Sequence, residues 1–495
     1  MKICKITINF IIAISFILLF GCGGGGGSSS SSNFSYVDPS LFNNVNNSTA
    51  TNTEETNNQE TNNQETIVDN TVKKKPWLFL VYFAADNSNI VKYQLSNLDY
   101  LEKVGSDKNT DIVAFIDIGN PKQNVDNWNT SEWASSINWT GARGYYIKKD
   151  TQENKINSTV IGEYGKVNSG SGDFLKQCLK EAIINYPAEN ICLVLDNHGD
   201  AYYGVLADES EKTIISNQLV RRVIKEIEEE TGCRINILGF DACGMSEIEA
   251  LYEYRDLTDY ILASEEVLYN YGWGYEEILD NSKGIISKNT SEFEILLEAT
   301  EILQNKYKEQ EENLYSKIAS DITPKQFVDI IFDVNKNRDN YIKTFAVIDT
   351  SKLENLKNSV DNFAKAVISS NSTNKNIIKK YIKLSPNEQE AIVYGISSTN
   401  LSGFSTLDLY NMIDTIYLKS NINDENIKTS ITDLKSAIRD TVINNSNAGS
   451  DYLFSYGISI MYTDSYDAFS SSKKNIYENL EFVKSTKWLD MIKKL

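Results

Sequence analysis

Two stretches decide the fold. Ile191-Cys192-Leu193-Val194-Leu195-Asp196 breaks into Asn197-His198-Gly199-Asp200, and Ile235-Asn236-Ile237-Leu238-Gly239-Phe240 breaks into Asp241-Ala242-Cys243-Gly244. Short apolar runs rich in Ile, Leu and Val that end in Gly, Asp and Asn read as buried strands, and Ser216 to Glu230 between them reads as a crossover helix stopped by Gly232. A right-handed crossover brings both breaks to the same carboxyl edge of a parallel sheet, where chemistry is usually placed. His198 is the only histidine in the chain, so any imidazole acid-base work falls to it. Cys243 precedes Met245 to Tyr254, read as a helical run, and a thiol near a helix N-terminus and a histidine is shifted toward the nucleophilic thiolate. Each residue also has a plainer reading, Cys243 as a small core hydrophobe and His198 as a surface residue; their shared position at two strand ends favours the joint catalytic one.

Further elements extend the pattern. Phe79 to Ala84 and Asp111 to Ile118 read as strands, joined by a helix with Ile90, Gln94, Leu98 and Leu101 on one face, Asn87 or Ser88 as its cap and Gly105 as its stop. Ser171 to Tyr186 is helical, and Asp259 to Ser264 is a fifth strand. Asn120 to Val160 carries Trp128, Trp133 and Trp139 with many polar residues and reads as a packing flap with a hairpin around Gly144 to Ile147. The expected fold class is therefore α/β, a mostly parallel sheet with helices on both faces. Beyond about residue 281 the pattern turns to long helices, Phe293 to Tyr307 and Leu353 to Val367, with Leu453 to Met461 as the main strand; no His or Cys follows Cys243.

The motifs resemble the clostripain family of cysteine peptidases, which share the caspase-like fold. Asp196-Asn197-His198-Gly199, then Gly239 to Asp256 (GFDACGMSEIEALYEYRD), Ala263 to Glu266 (ASEE), the opening Trp77 to Ile90 (WLFLVYFAADNSNI) and Tyr271 to Tyr275 (YGWGY) carry the resemblance, which covers Pro76 to Leu279 well and continues weakly to the C-terminus. It implies Cys243 as nucleophile and His198 as general base and acid, with the backbone N–H groups of Gly199 and Cys243 as oxyanion donors. It also implies an acidic pocket for Arg or Lys side chains, to which Asp241 would contribute; capping of the following helix is the structural alternative for Asp241. A second Asp common in the family is Tyr271 here. Family members are often cut between the His and Cys strands, and Lys212 is the only basic residue of the polar Asp200 to Ser216 loop, hence the expected processing point. No cofactor is expected, and calcium enters through the resemblance alone, since no Asp-rich loop of defined ligand spacing occurs. A zinc site from Cys192, His198, Cys233 and Cys243 lacks close Cys pairs and is disfavoured; disulfides among Cys178, Cys192 and Cys233 are permitted but not implied.

Four segments result. Residues 1–21 read as a signal peptide, with Lys2 and Lys5 before an apolar run too short and too interrupted by Thr7, Asn9 and Ser15 to span a bilayer. Leu19 and Gly21 before Cys22 resemble a bacterial lipoprotein box, so Cys22 is the expected lipidation site and the membrane the expected anchor; an ordinary signal peptide is the alternative. Residues 22–75, Gly- and Ser-rich and then Asn/Thr/Glu/Gln-rich with TNNQE twice in tandem, form a disordered tether. Residues 76–290 are the peptidase domain and 291–495 a helix-rich α+β region. A net charge of -20 argues against nucleic acid as a partner. The expected protein is an exported, lipid-anchored cysteine endopeptidase at a bacterial periplasmic or cell surface; an inactive binding or scaffold protein of the same fold is the alternative.

Overall fold

The computed structural model describes residues 35–37, 74–283, 322–336, 338, 342–382, 393–394, 405–447, 455–463, 466 and 471–495. The segment read as a signal peptide, Cys22, most of the stretch read as a tether and the helix expected over Phe293 to Tyr307 lie outside them.

Strand β1 is Ser35–Val37. The main sheet then uses β2 (Lys75–Ala84), β3 (Thr110–Asp117), β4 (Ala142–Tyr146), β5 (Thr159–Gly165) and β6 (Ala188–Asp196). After a hairpin of β7 (Val205–Asp208) and β8 (Thr213–Ile215) come β9 (Ile237–Asp241), β10 (Tyr260–Ala263) and β11 (Thr344–Asp349). The remaining strands are β12 (Val393–Tyr394), β13 (Ser405–Asp408), β14 (Val442–Asn447) and β15 (Ser459–Tyr462). Nine strands form one sheet in the order β14-β11-β10-β9-β6-β2-β3-β4-β5. Its five central strands, β10 to β3, are parallel, and two antiparallel strands close each side.

Alternation along β2 builds both faces. Trp77, Phe79, Val81 and Phe83 point into a core shared with the helix α1 (Val91–Val104) and the helix Pro324–Asn335; Leu78, Leu80 and Tyr82 point to the other side, under α2 (Gly172–Asn185) and α3 (Asn217–Thr231). The helix ends follow their sequence signals. Asn87 Oδ1 accepts the N–H groups of Ile90 and Val91, Ser216 caps α3 through the Leu219 N–H, and Gly232 ends α3 with φ 68°. In the flap Trp128 and Trp133 are buried, and β4 and β5 form the hairpin.

Four expectations are corrected. Met245 to Tyr254 is not one helix: residues 243–246 form a turn, with Gly244 at φ 69°, followed only by the short helix Ile248–Leu251 and a 3-10 turn at Tyr252–Tyr254. The reason is tertiary. Glu247, Glu249 and Glu253 are buried and accept the N–H groups of Tyr202, Met461 and Glu481 respectively, which fastens this segment to the turn after β6 and to the C-terminal part of the chain. Secondly, Asp200 to Ser216 is a hairpin rather than an open polar loop, because Val205, Leu206, Ala207, Ile214 and Ile215 are buried beneath it. Thirdly, the stretch read as tether supplies β1, Ser35–Val37, in parallel register with β8. Fourthly, the last strand near the C-terminus is β15, later than expected, while β11 and β14, neither expected, complete the main sheet.

Candidate functional site

Strands β6 and β9 are neighbours with Asp196 paired to Asp241, and the Asn197 N–H donates to Asp241 O at 3.3 Å. His198 and Cys243 each lie two residues beyond that pair, at the same sheet edge. Gly199 brings the two loops into contact: a Cβ there would fall 2.4 Å from Cys243 O and 3.0 Å from Cys243 N, so only glycine fits. The pairing of Gly199 with Val205 is flanked by Leu206 N–H to His198 O (3.1 Å) and Asp200 N–H to Gly204 O (2.9 Å). This is the non-hydrogen-bonded kind of antiparallel pair, which turns the Gly199 N–H away from β7. The hairpin thereby fixes the histidine loop, further tied by Ala207 N–H to Asn197 Oδ1 at 2.7 Å.

His198 is partly exposed, with Nε2 3.0 Å from Asn89 Oδ1. Since an amide oxygen only accepts, Nε2 is the protonated nitrogen of this contact. Cys243 is 0% exposed, and its Sγ accepts from the Leu268 N–H at 3.4 Å. Free thiols at Cys178, Cys192 and Cys233 stand elsewhere: Cys178 and Cys192 pack on opposite faces of the sheet, and Cys233 precedes β9, at the far edge. The zinc grouping is not assembled.

Beside Cys243 a pocket opens whose lining includes Asp196, Asp241, Leu268, Tyr269 and Gly272. Asp241 Oδ2 accepts the Trp273 N–H and the Tyr275 hydroxyl, each at 3.0 Å, and Gly272, at φ 48°, lies so close that a Cβ would meet Asp241 Oδ1 at 2.2 Å. The capping alternative for Asp241 therefore fails, since its acceptors serve the Trp273 loop. Asp196 lines the same pocket, a role its place in the sequence does not announce. Its Oδ2 also lies 3.0 Å from the Tyr275 hydroxyl, and Gln94 donates to its Oδ1 at 3.0 Å. One phenolic proton cannot serve two carboxylates, so the second contact needs a proton on a carboxyl. Burial, then the charge of Asp241, pushes the Asp196 carboxyl far above its usual range, and burial raises Asp241 to about 6. At neutral pH this makes Asp196 the proton holder and leaves one negative charge on the pocket floor. Tyr271, where the resemblance places a second acid, instead packs edge-on against Tyr93.

Lys212 is exposed at the hairpin tip with φ 54°. Among the described residues, the one group of three or more His, Cys, Asp or Glu side chains converging closely enough for a metal ion is Asp86, Asp117 and Asp208. These come from three separate segments, so no linear spacing announced them. No helix among the described residues is long and apolar enough to cross a membrane.

A parallel sheet carrying a histidine and a cysteine at the ends of adjacent strands, with helices on both faces, defines the caspase-like α/β class. The chain matches the clostripain family, peptidase family C11, over residues 81–494, and belongs to it. It is a cysteine endopeptidase. Its fold is similar to that of an inactive zymogen C11 protease from Parabacteroides distasonis, at 15% identity and a TM-score of 0.52, over 83% of this chain and 98% of that one. It is equally similar to a secreted C11 cysteine protease from Bacteroides thetaiotaomicron in complex with an irreversible peptide inhibitor, at 15% identity and a TM-score of 0.53, over 84% of this chain and 99% of that one. No curated protein sequence matches the chain.

Proposed function

We propose that this enzyme hydrolyses peptide bonds after Arg or Lys with Cys243 as nucleophile and His198 as general base and acid. The Cys243 thiolate attacks the peptide carbonyl carbon, and the oxyanion is met by the N–H groups of Gly199 and Cys243. As the C–N bond breaks, the imidazolium gives its proton to the leaving amine. The imidazole then takes a proton from water, which attacks the thioester and releases the acid and the thiolate. The observation that carries this reading is the pairing of Asp196 with Asp241, which sets His198 and Cys243 side by side on one edge with Gly199 packed on the cysteine backbone. A single charge on the pocket floor suits one guanidinium or ammonium. Cleavage of a peptide panel tests the substrate class, with cuts after Arg and Lys expected; cuts confined to neutral residues would contradict it.

With Cys243 covered by Leu268, the described conformation is a resting one in this reading, and processing after Lys212 frees the loops around it. Lys212 supports this by its exposure at a turn whose two strands stay paired after a cut. Export with a lipid on Cys22 rests on the Leu19, Gly21 and Cys22 pattern, and the secreted Bacteroides thetaiotaomicron relative supports export. Mass spectrometry of purified, membrane-extracted protein is expected to show a lipid-modified Cys22 and two fragments meeting after Lys212. An unmodified N-terminus elsewhere would contradict the anchor, and an active single intact chain would contradict the processing.

A further inference from the structure

We propose that Asn97 is a specificity-determining residue, its side-chain oxygen being the second acceptor for the substrate's basic side chain and favouring a lysine ammonium over an arginine guanidinium. The inference rests on the reading of the pocket as a site for basic side chains, and names what receives them there besides Asp241. Gln94 and Asn97 lie three residues apart on α1, with Ile90 four residues before Gln94, and this one helix face lines the pocket.

Asn97 is 2% exposed and sits in the middle of α1, where asparagine is a poor helix former. Its amide nitrogen donates to Asp196 Oδ2 at 3.4 Å, which turns the amide oxygen away from that carboxyl. This oxygen, Oδ1, is buried and has no hydrogen-bond partner. A buried acceptor without a donor is costly, and a cationic side chain entering the pocket brings the donor it lacks. The neighbouring polar side chains are already engaged. Gln94 donates to Asp196 and accepts from Asn87 Nδ2 at 2.9 Å, while Asn197 accepts the Ala207 N–H and donates to Ala84 O. Asp196 accepts from Gln94 at Oδ1 and from Asn97 at Oδ2, and as the proton holder it faces the Tyr275 hydroxyl. Asn270 is half-buried, within reach of water.

The acceptors left decide between the two basic side chains. Asp241 Oδ2 is filled by the Trp273 N–H and the Tyr275 hydroxyl, so Asp241 has one oxygen to offer. A guanidinium gains most from a fork onto both oxygens of one carboxylate, and that fork is not available here. An ammonium is a compact charge whose three N–H groups take separate acceptors, so it can give one to Asp241 Oδ1 and another to Asn97 Oδ1. The test is kcat/KM of the processed enzyme on two peptides that differ only in Lys or Arg before the cut, for the parent, Asn97→Leu and Asn97→Ala, with Tm as the fold control. The parent should favour the Lys peptide, and each variant should lose about tenfold or more on Lys and less on Arg, so that the ratio falls. Equal losses on both peptides would show that Asn97 only supports the pocket wall and would overturn the proposal. A parent that favours Arg would overturn it too, and that result needs no variant to fold. Cleavage after Lys and Arg with a ratio unmoved in the variants removes Asn97 alone, whereas a parent that cleaves a neutral peptide and neither basic one sinks the reading of the pocket and this inference with it.

Discussion

Replacing Cys243 by Ala is expected to reduce peptide hydrolysis by about 10⁴-fold or more, to the background left by binding and oxyanion contacts alone. His198→Ala should cost about 10²- to 10⁴-fold, the usual contribution of general acid-base catalysis. Both variants should keep the fold. Cys243 makes only weak backbone contacts through sulfur, both with Leu268, and His198 is partly exposed with its Nε2 against Asn89 Oδ1. The two losses should not add, because without the nucleophile the base has no proton to take. Steady-state hydrolysis with thermal unfolding as control checks this; near-parental turnover in either variant contradicts the assignment.

The second large effect concerns the pocket floor. Asp241→Asn keeps an oxygen to accept the Trp273 N–H but removes the charge, and should lower kcat/KM for Arg and Lys substrates by about 10²- to 10³-fold, the loss expected when one partner of a buried charge pair is removed. The pH dependence carries its own sign. Burial raises Asp241 to about 6, and a cationic side chain binds the ionised form. Below pH 6 the enzyme must first lose a proton, so kcat/KM for basic substrates should fall about tenfold per pH unit there and level off above it. A substrate with a neutral side chain, or the Asn variant, should lack that limb. Asp196→Asn should do less to the charge, because the proton already sits on Asp196 at neutral pH, but it should disturb the pairing through Tyr275. A variant pair with equal losses on neutral and basic substrates would show that the acids hold the loop and do not select substrate.

Much of this was written in the sequence as a repeat. Asp196-Asn197-His198-Gly199 and Asp241-Ala242-Cys243-Gly244 share one spacing, and two parallel strands in register turn that spacing into juxtaposition. The buried-strand runs, the Ser216 cap and the Gly232 stop are local signals, and local signals were legible. The same repeat also held Asp196, whose part in the pocket becomes apparent only when Tyr275, 79 residues away, is seen to touch both acids. What failed was context. The run after Cys243 has helical spacing of apolar residues, yet its glutamates are spent on backbone donors from Tyr202, Met461 and Glu481, distant in sequence. Val442 to Asn447 is polar along most of its length and gives no strand signal, because an edge strand needs only its backbone to pair with β11. Asp86, Asp117 and Asp208 share no spacing at all.

The most direct measurement is covalent capture. A peptide ending in Lys or Arg with a thiol-reactive electrophile at the carbonyl position, reacted with processed enzyme and mapped by peptide mass spectrometry, should modify Cys243 and leave Cys178, Cys192 and Cys233 free, with His198→Ala slowing the reaction. Modification of another cysteine, or none in an enzyme that still cleaves the peptide, would contradict Cys243 as the nucleophile.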